Sequence, residues 1–330
     1  MPDSKQLPST KDQLLEYLKA EKGEWVSGQA LSGRLSVSRS AVSKNIQRLR
    51  EAGYVIESAS GRGYLLQDIP DRLLPAEIQD GLKTGFFGKG DIAYFMEIDS
   101  TNARAKDMAS EGAAEGTVVV AEKQTGGRGR KGRDWFSPPM GGIYCSLILR
   151  PEFPPEDGPK ITFLSAVAAA EALGRFMSSG LTIKWPNDIL ANGKKIAGIL
   201  TEMTSEMDAI NYVVVGIGIN VNTHAFPGDI QQKATSLLRE TNERFSRVAI
   251  LRAYLEAQEK WYNLFKKEGF EPILEKWATM APIVGKAVRI EMVDRTIEGK
   301  VRGIDPDGVL IVEDKDGAAH RIISGDVFFI

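Results

Sequence analysis

The chain has 330 residues, long for one compact core, so two or three domains are expected. Hydrophobic residues make up 42% and charged residues 26%, which is ordinary for a globular protein and excludes disorder as the default state. A net charge of -2 excludes nucleic-acid binding by bulk charge and leaves local basic patches to be read segment by segment. The single Cys145 cannot form an internal disulfide, and with the distant His224 and His320 it cannot build a metal cluster, so a reducing cytoplasm is the expected compartment. Residues 1–11 are polar, and no segment supplies ~20 consecutive apolar residues, so neither export nor membrane insertion is expected.

Thr10-Lys11-Asp12-Gln13 has the form of a capping box, and Leu14, Leu15 and Leu18 then recur on one side of a short helix. Ser27 is placed to cap a second helix carrying Ala30, Leu31 and Leu35. After a turn at Ser36-Val37, Ser38 is placed to cap a third. In that third helix Val42, Ile46 and Leu49 share one face, leaving Arg39, Ser40, Ser43, Lys44, Gln47 and Arg48 on the other. Gly53 suits the end of the helix, and residues 54–58 and 64–66 around Gly61-Arg62-Gly63 read as a two-stranded wing. The whole predicts a winged helix-turn-helix over residues 1–67.

Between Ser27 and Leu66 six Lys or Arg face two acids, a local balance of +4. Such a helix enters a major groove while its cations and the wing Arg62 meet phosphates; the alternative is a solvated helix face. Residues 68–90, with Pro70 and Pro75 ahead of a helical stretch at 76–82, read as a connector.

Residues 91–280 form the expected central domain. A strand at 92–98 leads through Asp99-Ser100-Thr101-Asn102 into a helix at 103–110 capped by Ser100 or Thr101, then a strand at 117–122. Next comes Gln124-Thr125-Gly126-Gly127-Arg128-Gly129-Arg130-Lys131-Gly132-Arg133-Asp134-Trp135, rich in glycine and cations. Gly127, Gly129 and Gly132 fit G-x-G-x-x-G, but the dinucleotide fingerprint needs a helix to begin there. Here Ser137-Pro138-Pro139 leads instead into a strand at 143–150. Arg133-Asp134 stands where a P-loop needs Lys-Ser/Thr. What remains is a loop of backbone N–H groups and guanidinium forks able to close on a phosphate or carboxylate, with a disordered basic loop as the alternative.

Lys184-Trp185-Pro186-Asn187-Asp188-Ile189-Leu190 is followed by a tight hairpin at Asn192-Gly193 and the returning Lys194-Lys195-Ile196-Ala197-Gly198-Ile199-Leu200. Lys195 either points into a cleft or lies exposed on the hairpin. An apolar strand at 212–215 runs into Gly216-Ile217-Gly218-Ile219-Asn220-Val221-Asn222, whose glycines predict close approach of a ligand or a neighbouring strand. Residues 281–330 alternate short strands with turns at Asp294-Arg295, Asp305-Pro306-Asp307-Gly308 and Asp316-Gly317, a small all-β unit.

Together these motifs, in this order, resemble the biotin protein ligases, specifically the bifunctional ligase-repressors. The resemblance spans nearly the whole chain and rests on five motifs: Asp99 to Asn102, Gln124 to Arg130, Lys184 to Asp188, Lys195 to Gly198 and Gly216 to Asn220. It implies a multidomain α+β protein. A winged helix-turn-helix would precede a central mixed-sheet α/β catalytic domain similar to class II aminoacyl-tRNA synthetase cores, followed by a small SH3-like β-barrel. It also implies ATP-dependent ligation of biotin to a lysine of a biotin carboxyl carrier protein through biotinyl-5'-AMP, as in a biotin–[acetyl-CoA-carboxylase] ligase. The adenylate would further serve as corepressor, favouring a homodimer that binds operator DNA.

By the same resemblance, biotin would meet Ser100, Thr101, Asn102, Gln124, Gly127, Arg128 and Lys195, whose hydroxyls and amides suit a neutral ureido head. The nucleotide would meet Arg128, Arg130, Lys131, Trp135, Asn187 and Asn220. Joining a carboxylate to ATP brings two anions together, so Lys195, Arg128 and Arg130 are the expected catalytic cations, with Mg2+ carried in on the phosphates. Asp188 either orients the acceptor amine or caps the local turn. Three rivals remain open: a transcription factor that senses biotin without catalysis, a lipoate or other acyl ligase, and an N-terminal unit that docks protein rather than DNA.

Overall fold

The computed structural model describes residues 9–206 and 208–330, which divide after Asp71 into two compact units. In the first, helices α1 (Thr10–Ala20), α2 (Gly28–Leu35) and α3 (Arg39–Glu51) precede the antiparallel strands β1 (Val55–Ala59) and β2 (Gly63–Asp68). Ser27 and Ser38 cap α2 and α3 as expected, each hydroxyl accepting from the N–H of Ala30 (3.0 Å) or Ala41 (3.2 Å). The cap of α1 is Ser9, not Thr10. Ser9 has the extended backbone a cap requires and accepts from Asp12 N–H at 3.3 Å, so Thr10 becomes the first helical residue.

Leu14, Leu15, Leu18, Leu31, Val42, Ile46, Leu49 and Leu66 close the core of this unit. Ser36, left-handed at φ 53°, makes the turn between α2 and α3. Arg50 binds the wing to α3, donating from Nε and Nη2 to Ile56 O at 2.9 and 2.7 Å.

The second unit begins with the short helix α4 (Pro75–Gln79), which ends before the expected Leu82 because Gly81 turns left-handed at φ 79°. Residues 85–87 are fixed by their backbone N–H groups to the buried Glu259 carboxylate. The part of the expected connector after Asp71 is therefore built into this unit. The elements that follow are β3 (Ile92–Phe95), α5 (Thr101–Ser110), β4 (Val118–Ala121), β5 (Gly142–Leu149) and α6 (Lys160–Leu173). Then come β6 (Leu181–Lys184), β7 (Asp188–Ala191), β8 (Lys194–Ser205), β9 (Ile210–Asn220), α7 (Leu237–Thr241), α8 (Arg247–Glu268) and α9 (Glu271–Met280).

The seven strands form one mixed sheet in the order β3-β4-β5-β9-β8-β7-β6, with β3 and β4 parallel and every other pair antiparallel. Alternation along β9 assigns its two faces. Val213, Val215, Ile217 and Ile219 join the large core with Leu164 of α6, Leu251 of α8 and Trp277 of α9. Val214 packs on the other face against Ala105 and Ala109 of α5. Beyond α5, that second face carries Gly216, Gly218 and Asn220.

The Arg247–Glu122 ion pair is fully buried at the end of β4, with Nη1 and Oε2 2.6 Å apart and the other carboxylate oxygen accepting from Leu73 N–H. Burial and this carboxylate push the neighbouring Tyr94 phenol up to about 12.

Residues 287–329 supply β10 (Ala287–Glu291), β11 (Thr296–Ile304), β12 (Leu310–Glu313), β13 (Ala319–Ile322) and β14 (Asp326–Phe329). They form an antiparallel sheet in the order β13-β12-β11-β10-β14, with turns at all three predicted positions. No helix among the described residues is long and apolar enough to cross a membrane.

Candidate functional site

One cross-strand row organises the open face of the mixed sheet: Lys184 on β6, Asp188 on β7, Gly198 on β8, Gly218 on β9 and Tyr144 on β5 stand in register. Residues directly opposite one another project to the same side. The two glycines therefore leave a gap in the middle of the row, and Trp135 fills it. A Cβ at Gly218 would run into the indole ring, and one at Gly198 would stand 3.0 Å from it. The Trp135 indole N–H is buried and makes no hydrogen bond among the described residues.

Simple alternation would send Lys195 away from this face, three residues from Gly198. A β-bulge on β8 intervenes: Ile189 pairs with Ala197 and Leu190 with Lys195, so Ile196 and Ala197 both enter the core. Lys195 is thereby returned to the open face. Its ammonium lies 2.7 Å from Asp188 Oδ1 and 5.2 Å from the Trp135 ring centroid.

A polar network closes the other end of the gap. Ser100 caps α5 by accepting from Ala103 N–H at 3.4 Å, and Thr101 donates from N–H (2.8 Å) and hydroxyl (3.1 Å) to Gln124 Oε1. Gln124 donates in turn to Ser137 Oγ at 3.0 Å. Asn102 is buried, as Ser100 and Thr101 are. Its Oδ1 accepts from Ser146 at 2.6 Å, and its Nδ2 donates to Leu200 O and Glu202 Oε2 at 3.2 and 2.9 Å. Both of its polar atoms serve the anchoring of α5, over the space Gly216 leaves open. Burial opposes ionisation of Glu202, yet hydrogen bonds from Lys106 and Asn102 hold its carboxyl below the usual range.

The Gly-Arg loop is ordered by its own backbone: Gly126 N–H donates to Asp99 O at 2.8 Å and Trp135 N–H to Gly127 O at 2.8 Å. Gly127 is required because a Cβ there would stand 2.7 Å from both Ser137 Oγ and Trp135 O. Arg128 is exposed at the loop's edge. Arg130 donates to Asn187 Oδ1 (3.1 Å) and Ser324 Oγ (3.0 Å), and its burial lowers its pKa. Asn187 is buried and donates to Ile199 O at 2.7 Å. Lys131 and Arg133 converge on Asp326 of β14 at 3.1 and 2.6 Å. Burial disfavours the charged Asp326, but these cations and Arg130 keep its carboxyl below the usual range. Asn220 is buried at the end of β9 on the glycine-bearing face.

The structure thus gathers Thr101, Gln124, Gly127, Trp135, Asp188 and Lys195 around the gap, and places Arg130, Lys131 and Asn187 toward β14. Sequence reasoning missed Ser137, Ser146, Glu202, Ser324 and Asp326. Only register and long-range packing reveal them. No group of three His, Cys, Asp or Glu suited to a metal occurs among the described residues.

In the first unit, Arg39, Ser40, Ser43, Lys44, Gln47 and Arg48 are all exposed on α3, and Arg62 is exposed on the wing. Gln47 donates to Glu51 at 3.2 Å, and the Arg62 guanidinium stacks 4.4 Å from the Trp25 ring centroid.

Residues 94–220 match the model of the biotin/lipoate A/B protein ligase family, residues 10–65 that of an HTH domain, and residues 283–330 that of the biotin protein ligase C terminal domain. The bifunctional ligase/repressor BirA of Bacillus spizizenii is 42% identical over 95% of this chain and 97% of its own length. The Escherichia coli protein of that name is 32% identical over 92% and 93%. The structure of the biotin protein ligase from Aquifex aeolicus in complex with biotin and ATP is similar at a TM-score of 0.64 and 30% identity, covering 73% of this chain and 99% of that one.

Proposed function

The chain belongs to the family of bifunctional biotin ligase/repressors, and from that premise we propose that it activates biotin with ATP, transfers it to an acceptor lysine, and represses transcription through its N-terminal unit. The observation that carries the ligase reading is the indole of Trp135 seated on Gly198 and Gly218, with the Lys195 ammonium beside its ring and the Thr101–Gln124–Ser137 network adjoining it. The apolar Trp135 ring with the amide and hydroxyl groups of Thr101, Gln124 and Ser137 on one side suits a neutral bicyclic ureido head, and the cations on the other suit the carboxylate of biotin and the α-phosphate.

Adenylation needs two anions to approach, so fixed positive charge matters more than a base. Lys195, held by Asp188, and the loop's Arg128 and Arg130 supply it, while Mg2+ enters with the triphosphate as part of the substrate. In the second step the acceptor lysine, as a neutral amine, attacks the acyl carbon of the adenylate and AMP leaves. Asp188, beside Lys195, is placed to orient that amine. The test is transfer of biotin to the carrier domain of a biotin-dependent carboxylase, read as the mass gained at one lysine. ATP-dependent labelling supports the reading, and a carrier that stays unlabelled opposes it. Lipoate offered in place of biotin tests the rival acyl ligase.

The mixed sheet built for adenylate chemistry supports kinship with class II synthetase cores. The five antiparallel strands of residues 287–329, with a bulge near Gly303, support an SH3-like barrel. We further place the protein in the cytoplasm and read the adenylate as corepressor. A ligand that prefers the dimer-competent form strengthens assembly by linkage, and the dimer presents two basic helices to paired half-sites. Equal dimerisation with and without adenylate, measured by sedimentation, contradicts the corepressor reading.

A further inference from the structure

Lys184 belongs to the Lys-Trp-Pro-Asn-Asp motif, and the mechanism so far gives it no task. It stands at the outer end of the row, cross-strand from Asp188, which is itself paired with Lys195. Its ammonium lies 5.6 Å from the Phe328 ring centroid on β14, the strand whose Asp326 gathers Lys131 and Arg133. Arg289 covers the same ring at 5.3 Å. The junction between the mixed sheet and β14 thus holds five cations, Arg130, Lys131, Arg133, Lys184 and Lys195, against the two carboxylates Asp188 and Asp326, a formal excess of three. Arg289 and Glu291 pair with each other at 3.2 Å, and Arg128 and Asp134 add one charge of each sign.

Cations in excess, two of them (Arg130 and Lys184) partly buried, repel one another, and a polyanion relieves them. Burial lowers the pKa of Lys184 against the pull of Asp188, in keeping with a crowded, poorly hydrated ammonium. Position decides which anion it meets. Lys195 lies beside the Trp135 ring, where the carboxylate and α-phosphate would meet, and Lys184 sits two strands further out, toward β14 and the loop cations that Asp326 gathers.

We propose that Lys184 is a catalytic residue of the first half-reaction, binding the β- and γ-phosphates of ATP and stabilising the departing pyrophosphate. This rests on the adenylation reading above. A biotin carboxylate oxygen forms the bond to the α-phosphorus, and the bond from that phosphorus to the bridging oxygen breaks. The bridging oxygen leaves with the electron pair as part of pyrophosphate, and no proton is transferred. The second half-reaction contains no phosphate chain, so it makes no demand on Lys184.

The full chain with Lys184→Met or Lys184→Arg distinguishes these steps. Biotin-dependent exchange of labelled pyrophosphate into ATP is expected to fall about 100-fold or more in Lys184→Met, the loss typical of one removed charge-stabilising donor. Transfer from supplied biotinyl-5'-AMP to the carrier domain is expected within about twofold of wild type, and Lys184→Arg is expected to recover most of the exchange. Exchange by Lys184→Met at the wild-type rate overturns the proposal alone, as does an equal loss in both half-reactions. Should Lys184→Met fail to fold, the folded Arg variant carries the test: a loss of exchange no greater than its loss of transfer overturns the proposal. Absence of exchange in the wild-type chain overturns the adenylation reading together with this one.

Discussion

The Lys195 ammonium and the Asp188 carboxylate meet at 2.7 Å across the β7–β8 hairpin, and they do so because a bulge at Ile196 turns Lys195 back to the face that Asp188 shares. Asp188 fixes the direction of a cation without hiding it, since Lys195 retains 34% side-chain exposure. Lys195→Ala is expected to lower the adenylation rate by about 100- to 1,000-fold, the range for loss of one preorganised charge-stabilising group. Asp188→Asn, which keeps the shape and removes the charge, is expected to lose less. Single-turnover formation of biotinyl-5'-AMP measures both. An Asp188→Asn loss as large as that of Lys195→Ala would contradict the orienting role.

Gly218→Ala places a methyl group against the Trp135 ring. Overpacking of about 1–3 kcal/mol is expected to displace the indole and weaken biotin by roughly tenfold or more. The same change at the exposed hairpin residue Gly193 meets no neighbour within 4 Å, although its φ of 80° adds local strain. Isothermal titration with biotin compares the two, and equal affinities would argue against the glycine floor.

The buried Arg247–Glu122 pair makes a stability prediction. Glu122→Gln leaves an uncompensated guanidinium in the core and is expected to cost about 3–5 kcal/mol, read from urea unfolding of the full chain. Replacing both residues with apolar ones of similar volume is expected to recover part of that loss, and a double variant no better than the single one would contradict this account.

Asp326 gives the pH dependence of the loop anchor. Lys131 and Arg133 hold its folded-state pKa below that of the unfolded chain, so its contribution is complete above the ordinary aspartate range near ~3.9 and is lost as pH falls through the depressed value. At neutral pH the anchor is fully formed, and Asp326→Asn removes it. Amide exchange in residues 129–133 is expected to quicken in that variant at pH 7 and to differ little from wild type below the depressed value. A variant as protected as wild type at pH 7 would show that the ion pairs do not hold the loop.

For the N-terminal unit, removal of Lys44 or Arg62 is expected to weaken operator binding and reduce the salt slope by about one each. A slope unchanged in both variants, measured by titration over a range of salt, would remove these residues from the phosphate contacts.

Local chemistry made much of the fold readable. Ser27 and Ser38 announce their helices through hydroxyls that only caps need, and Asn192-Gly193 announces its hairpin through two left-handed residues. The exposed face of α3 followed from its 3.6-residue period. Thr10 was misread because Ser9 is an equally good cap one residue earlier. The motifs mark stretches of chain that the fold brings side by side, but not the direction in which each side chain points. Thr101 and Asn102 share a motif and both accept from Ser146, yet Thr101 also donates to Gln124 while Asn102 donates to Glu202. The bulge that aims Lys195 has no local signature, because it depends on how Ile196 and Ala197 both find room in the core. Asp326 lies nearly two hundred residues from the cations it holds, and no spacing rule connects them.

The most direct test of the central claim is biotin-dependent exchange of labelled pyrophosphate into ATP by the purified full chain, with Lys195→Ala as control. Exchange that requires biotin and collapses in the variant is the expected result and establishes acyl-adenylate chemistry at this site. A folded wild-type chain that shows no exchange with biotin, ATP and Mg2+ would contradict the account and favour a biotin sensor without catalysis.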